Sequence, residues 1–180
     1  MKRQGGYIHI YTGKGKGKTT ASLGLAMRAV GWGMRVCVFQ FMKSGVNGEQ
    51  RTSSLLGGRL KVVTFDQTHP MFYHKSVKNK AGRRLKERIS RDLKVVRETL
   101  LIGNYDIVIL DEVINAIKAR YIKKGEALSL LNPRFRRSEL ILTGRGAPQW
   151  LIKKGDYVTD MRLVKHPYKK GLRARKGIEY

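Results

Sequence analysis

The feature that most restricts what this chain can fold into is the run Gly13-Lys14-Gly15-Lys16-Gly17-Lys18-Thr19-Thr20. It follows Tyr7-Ile-His-Ile-Tyr11, whose β-branched and aromatic residues predict a strand. It precedes residues 19–30, rich in Ala, Leu and Met, which predict a helix ending at Gly31. A strand, a glycine-rich turn and a helix in that order make a cradle for phosphate. Glycines let the backbone turn tightly so that several N–H groups converge on an anion. The helix that starts there adds the positive end of its dipole. In this setting Lys18 reaches terminal phosphate oxygens and the Thr19 hydroxyl ligates Mg²⁺. Lys14 and Lys16 add charge that suits a fully ionised triphosphate, so the loop is expected to bind a nucleotide, ATP above all. The usual spacing places a glycine five residues before Gly17, but Thr12 stands there and Gly13 follows one step later.

A nucleotide site of this kind needs an acid at the end of a later strand. Ile107-Val-Ile-Leu-Asp111-Glu112 supplies it, because both carboxylates would emerge at the carboxyl edge of the sheet beside the loop. Glu112 is expected to hold Mg²⁺ with Thr19, and Asp111 to support them. The pair does not decide the chemistry. In a hydrolytic ATPase such a glutamate orients water, whereas in a transferase it only holds the metal.

Further strands are expected at 35–41, 60–65, 105–112, 138–143 and 157–164, and helices at 49–56, within 113–131 and at 148–154. From Ala81 the apolar positions Leu85, Ile89, Leu93, Val96 and Leu100 recur at helical spacing, predicting an amphipathic helix with a solvated basic outer face. Residues 66–80 lack periodicity and predict a long loop. Strands alternating with helices imply one α/β domain over residues 1–180, with a mainly parallel central sheet and helices on both faces.

Composition matters chiefly through charge: 38 Lys and Arg against 13 Asp and Glu give a net charge of +25. Such a field attracts polyanions, although a lysine-rich surface of compositional origin gives the same count. The single Cys37 rules out an internal disulfide framework. The polar start Met1-Lys-Arg-Gln-Gly-Gly does not read as a signal peptide, and no run of 18 apolar residues predicts membrane insertion, so a cytoplasmic location is expected.

Six stretches resemble the ATP:corrinoid adenosyltransferases, in order along nearly the whole chain. They are Tyr11-Thr-Gly-Lys-Gly-Lys-Gly-Lys-Thr-Thr-Ala-Ser-Leu-Gly24, Val38-Phe-Gln-Phe-Met-Lys43, Asn47-Gly-Glu49 and Ile109-Leu-Asp-Glu112. Leu142-Thr-Gly-Arg-Gly-Ala147 and the ending Lys165-His-Pro-Tyr…Gly171…Ala174-Arg-Lys-Gly-Ile-Glu-Tyr180 complete the set. The resemblance implies a P-loop NTPase-like three-layer fold. It also implies an enzyme that transfers the 5′-deoxyadenosyl group of ATP to the Co(I) of a reduced corrinoid and releases triphosphate. The corrinoid would be cob(I)alamin or a cobalamin precursor, in synthesis or salvage. Residues 13–20 would then wrap the triphosphate, with Lys18 its main cation, and Thr19, Glu112 and Asp111 would serve Mg²⁺. Arg145 and Lys165 stand either as further nucleotide contacts or as structural ion-pair residues. An electron-donating flavoprotein and a homodimer are implied in the same way.

The sequence departs from the family pattern in two places. Many members carry an amino-terminal extension that folds over the site, and here twelve residues precede Gly13. Some members place a Phe-Thr-Trp segment beside the corrin, where this chain reads Pro70-Met-Phe-Tyr-His74. Phe72 and Tyr73 are the candidates for corrinoid binding, or else they anchor their loop to the core. The rival reading from another class is a P-loop ATPase that binds nucleic acid through the basic surface. It would call for aromatic stacking platforms, yet aromatics are 8% of the residues and none cluster on a strand, so nucleic acid is not expected as a partner.

Overall fold

A computed structural model describes residues 6–45, 47–65, 79–132, 137–167, 171 and 174–179. Its elements follow the predicted alternation. They are β1 (Ile8–Thr12), α1 (Lys18–Gly31), β2 (Val36–Gln40), α2 (Gly48–Leu55), β3 (Leu60–Thr64), α3 (Lys80–Ile102), β4 (Ile107–Asp111), α4 (Val113–Lys118), α5 (Lys124–Leu130), β5 (Glu139–Thr143), α6 (Gln149–Ile152) and β6 (Tyr157–Asp160). The six strands form one sheet in the order β3-β2-β4-β5-β1-β6. Every pairing is parallel, so the sheet expected to be mainly parallel is wholly so.

Parallel strands need crossover helices, and these cover both faces of the sheet. One core gathers Leu85, Ile89, Leu93, Val96 and Leu100 of α3 with α4, α5 and the strand residues Phe39, Val108, Leu110 and Leu142. The other packs Ala26 and Ala29 of α1 against Val36, Val38, Ile109 and Ile141. β2 and β4 are buried along their full length, as central strands covered on both sides must be. The predicted stripe on α3 is the buried one, and Lys80, Arg83, Arg84, Arg88, Arg91 and Lys94 lie exposed on its other side. Among the described residues no helix is long and apolar enough to cross a membrane.

The strand order positions the site. β1 carries the phosphate loop at its carboxyl end and β4 carries the acid pair, but β5 lies between them. The end of β5, where Thr143 stands, therefore lies between the loop and the acids. The edge strand β6 stops at Asp160, short of the expected Val164. Its chain leaves the ladder there to support the phosphate loop: Met161 donates its N–H to the Thr12 carbonyl at 2.9 Å, and its own carbonyl accepts from Gly15 N–H at 2.7 Å.

That close backing explains the glycine spacing. Gly13 has φ +102°, and a Cβ there would sit 2.2 Å from Asp160 Oδ1 and 2.5 Å from the Met161 carbonyl oxygen. The tight turn has moved to Gly13, which frees Thr12 to use its hydroxyl elsewhere. Gly13→Ala is expected to cost at least about 2 kcal/mol through strain alone, and to push the loop off β6. Thermal unfolding and nucleotide titration of the variant would check this. An unchanged Tm with unchanged nucleotide affinity would refute the role assigned to the backing strand.

Candidate functional site

The loop between β1 and α1 ends at Gly17, whose φ of +116° turns the chain into the first helical residue, Lys18. The Lys18 side chain is buried and folds back along the loop. Its ammonium donates to the Gly13 carbonyl at 3.0 Å and to the Gly15 carbonyl at 2.7 Å. Burial lowers its pKa, while the carboxylates of Glu112, Asp111 and Asp160 act against that and Arg145 acts with it. The N–H of Gly15 is taken by Met161, so the anion cradle narrows to the amides that follow it at the helix start.

The acid pair divides into two roles. Asp111 is wholly buried at the end of β4. Its Oδ1 accepts from the Thr19 hydroxyl at 2.8 Å and from the Thr143 hydroxyl at 2.7 Å. Its Oδ2 lies 3.0 Å from Lys43 Nζ. Glu112 adopts a left-handed backbone, φ 61°, unusual for a side-chain-bearing residue and the mark of a constrained turn from β4 into α4. Thr143 holds that turn by accepting the Glu112 N–H at 2.9 Å, and Asn115 donates to Glu112 Oε2. One threonine at the end of β5 thus ties both acids together.

Lys43 was not singled out from the sequence as a site residue. It follows Met42, another left-handed residue with φ 55°, which bends the chain after β2 back over the acids. Burial opposes its charge, but Asp111, Glu49 and Glu112 more than offset this, and its pKa is raised. Its one signal is its place just past the end of a strand that neighbours the acid strand, which is visible only once strand order is known.

A cavity of about 530 Å³ opens over these groups. Lys16, Lys18, Thr19 and Thr20 of the loop line it together with Lys43, Glu49, Glu112, Arg145 and His166. Arg145 reaches it from the turn after β5, where Gly144 passes so close to α4 that a Cβ would lie 2.7 Å from Ile114 Cβ. The Arg145 N–H is fixed by Asn115 Oδ1 at 2.7 Å, and Ala147 N–H by the Thr12 hydroxyl at 3.0 Å, so the residue in place of the usual glycine braces this turn. Lys14 and Lys165 are exposed and do not line the cavity, whereas His166 does. The carboxyl-terminal turn closes one side through Gly177, Ile178 and Glu179, with Lys16 Nζ 3.8 Å from Glu179. Phe72 and Tyr73, the candidate corrinoid contacts, lie outside the described residues.

The electrostatics of Glu112 give a pH signature. Burial and then the neighbouring Asp111 raise its pKa above the ordinary 4.5, with Lys18, Lys43 and Arg145 pulling the other way. The folded state therefore holds this proton more tightly than the unfolded chain. The resulting stability is fully present below the ordinary value and is lost as pH rises through the raised one. Glu112→Gln keeps an acceptor oxygen for Asn115 and cannot ionise. It should match the unmodified protein in Tm near about pH 4 and exceed it by a few degrees near about pH 7. Melting curves across that range are the check, and a difference independent of pH would contradict the assignment.

The oxygen donors suit Mg²⁺. A threonine hydroxyl at the helix start, one wholly buried carboxylate behind it and a second carboxylate facing the cavity are few protein donors, and Mg²⁺ keeps waters and phosphate oxygens as its remaining ligands. The family model described as ATP:corrinoid adenosyltransferase BtuR/CobO/CobP matches residues 4–180. The chain is 34% identical over 176 residues to the corrinoid adenosyltransferase of Escherichia coli K12, covering 97% of this chain and 86% of that protein. Corrinoid adenosyltransferase CobA of Salmonella typhimurium is 34% identical with the same coverage. The Pseudomonas aeruginosa corrinoid adenosyltransferase is 31% identical, covering 97% and 84%.

Proposed function

This chain belongs to the ATP:corrinoid adenosyltransferase family, and on that premise we propose that it moves the 5′-deoxyadenosyl group of ATP onto the Co(I) of a reduced corrinoid. The observation that carries the reading is the joint wall of the cavity, with the lysine-lined loop on one side and the Asp111–Glu112 turn on the other.

In this reaction the Co(I) electron pair attacks the ribose 5′-carbon. A cobalt–carbon bond forms, the carbon–oxygen bond breaks, and triphosphate leaves with that bond's electrons. Cobalt is oxidised by two electrons to Co(III). So strong a nucleophile carries no proton to remove, so the protein needs no general base. What it must supply is alignment and stabilisation of a highly charged leaving group. Lys18, the amides at the start of α1, Lys16 and Arg145 meet that need, since their positive charge faces the cavity where the negative charge grows. Thr19 and Glu112 would hold Mg²⁺, with Asp111 fixing the Thr19 hydroxyl from behind. The ion would neutralise part of the triphosphate charge. Co(I) does not persist in water, which calls for an electron-donating flavoprotein, and by analogy with the family the chain would work as a homodimer.

One incubation tests the reading. The protein, ATP, Mg²⁺ and chemically reduced cobalamin should yield inorganic triphosphate together with a light-sensitive alkyl–cobalt product. Orthophosphate without an adenosyl–cobalt bond would overturn it.

A further inference from the structure

Glu112 is the carboxylate of the acid pair that lines the cavity, and burial aside it is acted on by Asp111 and by three cations, Lys18, Lys43 and Arg145. Three cations around two carboxylates leave no surplus of negative charge to draw in a divalent ion. Lys18 and Arg145 belong to the side of the cavity where a triphosphate would engage them. Lys43 does not. It follows β2 and stands beside the acids.

Its place there is fixed. The ammonium lies 3.0 Å from Asp111 Oδ2 and 3.7 Å from Glu49 Oε1, on a side chain that is 27% exposed and lines the cavity. Glu49 is itself mounted by the reciprocal cap of Asn47 and Gln50 at the start of α2. Asp111 Oδ2 is buried and has no hydrogen-bond partner of proper geometry among the described residues, so its contact with Lys43 is one of charge. Lys43 thus gives the buried carboxylate the compensation that a metal ion would otherwise supply. The other oxygen of the same carboxylate holds the Thr19 hydroxyl, so the ammonium and that metal donor are separated by a single carboxylate. At such separations a positive charge acts strongly on a cation, because the partly buried surroundings screen little.

A divalent ion arriving alone would be opposed by Lys18, Lys43 and Arg145, and Mg²⁺ gives up its waters reluctantly. With a triphosphate, Lys18 and Arg145 would be engaged by phosphate, and phosphate oxygens would join Thr19 and Glu112 around the ion. We propose that Lys43 is a positioning residue that makes metal binding depend on the nucleotide, by offsetting the Asp111 charge that would otherwise hold the ion without ATP. The inference deepens the proposed function and rests on its reading of Thr19 and Glu112 as the holders of the metal.

The test uses the full chain without corrinoid and Mn²⁺ in place of Mg²⁺. Binding of Mn²⁺ alone is read from the electron paramagnetic resonance signal of the free ion, and binding of ATP is read by calorimetry with Mn²⁺ or with EDTA. Lys43→Met should bind Mn²⁺ alone at least about ten-fold more tightly than the unmodified protein, and metal-free ATP about ten-fold more weakly. Opposite signs mark a charge effect, since damage to the site would weaken both ligands. Lys43→Gln also removes the charge and should behave alike, which covers a failure of the methionine variant to fold. Lys43→Arg keeps the charge and should bind Mn²⁺ alone as weakly as the unmodified protein. Mn²⁺ binding that is unchanged or weaker in the variants without charge would overturn the proposal, as would tightening in Lys43→Arg equal to that in Lys43→Met. If Mn²⁺ did not strengthen ATP binding to the unmodified protein, the reading of the metal site itself would fall instead.

Discussion

Lys18→Met is expected to cut kcat/KM for adenosyl transfer by about a hundred- to a thousand-fold, the usual cost of removing one preorganised charge from a developing anion. Methionine has similar length and no charge, so it fills the same buried space. Folding should change little. The variant loses two hydrogen bonds to the Gly13 and Gly15 carbonyls, but it no longer has to keep an ammonium away from water, the burial that lowers the Lys18 pKa. Lys18→Arg is not expected to rescue activity, because a planar guanidinium does not fit between two carbonyls that a point-like ammonium reaches at 3.0 and 2.7 Å. Anaerobic kinetics with reduced cobalamin and thermal unfolding of both variants make the comparison. Activity within ten-fold of the unmodified protein would show that Lys18 braces the loop and does not stabilise the leaving group.

Asp111→Ala should be the most destabilising single change in the site. It removes the acceptor shared by the Thr19 and Thr143 hydroxyls and the counter-charge nearest Lys43, in a position with no exposure to solvent. Removing one partner of a buried ion pair costs more than the pair contributes, because the remaining charge is left uncompensated. A loss of about 3 kcal/mol, or on the order of 10 °C in Tm, is expected for a chain of this size. Asp111→Asn still offers one oxygen to the two hydroxyls and should fall between the two. If Asp111→Ala and Asp111→Asn were equally stable, the hydroxyl bridge from β4 to α1 and β5 would have no energetic weight. Activity should fall in both, because the Thr19 hydroxyl is no longer held by a carboxylate.

The phosphate loop was legible because its chemistry is contiguous. Glycines that turn, a lysine at the helix start and the threonine after it lie within eight residues, so their spacing alone fixes their relation. The acid pair was legible for a similar reason, since a strand of apolar residues that ends in two carboxylates puts them at one edge of a sheet. The end of β6 was misjudged by four residues. Nothing in 157–164 marks the point where Met161 leaves its neighbour strand for the loop. Lys43 and Glu49 lay inside stretches that carried the family resemblance, yet their roles were not, because an ion pair between the ends of different elements has no local pattern.

By itself, the sequence determined the alternation of strands and helices, the buried stripe of α3, the glycine-rich turn from β1 into α1 and the family. All of these follow from periodicity, backbone freedom and residue order, which act over short stretches of chain. Only the tertiary structure decided that β5 lies between the loop strand and the acid strand, so that Thr143 ties Asp111 to Glu112 while Thr19 reaches Asp111 directly. It alone brought Met161 under Gly15, and Lys43 between Asp111 and Glu49. The glycine-rich loop thus keeps the strand–turn–helix setting its residues indicated, but its shape and its electrostatic surroundings are set from elsewhere in the chain. Strand order is chosen by how whole faces bury against one another. The hydrogen bonds that complete the site join residues that approach only after that choice is made.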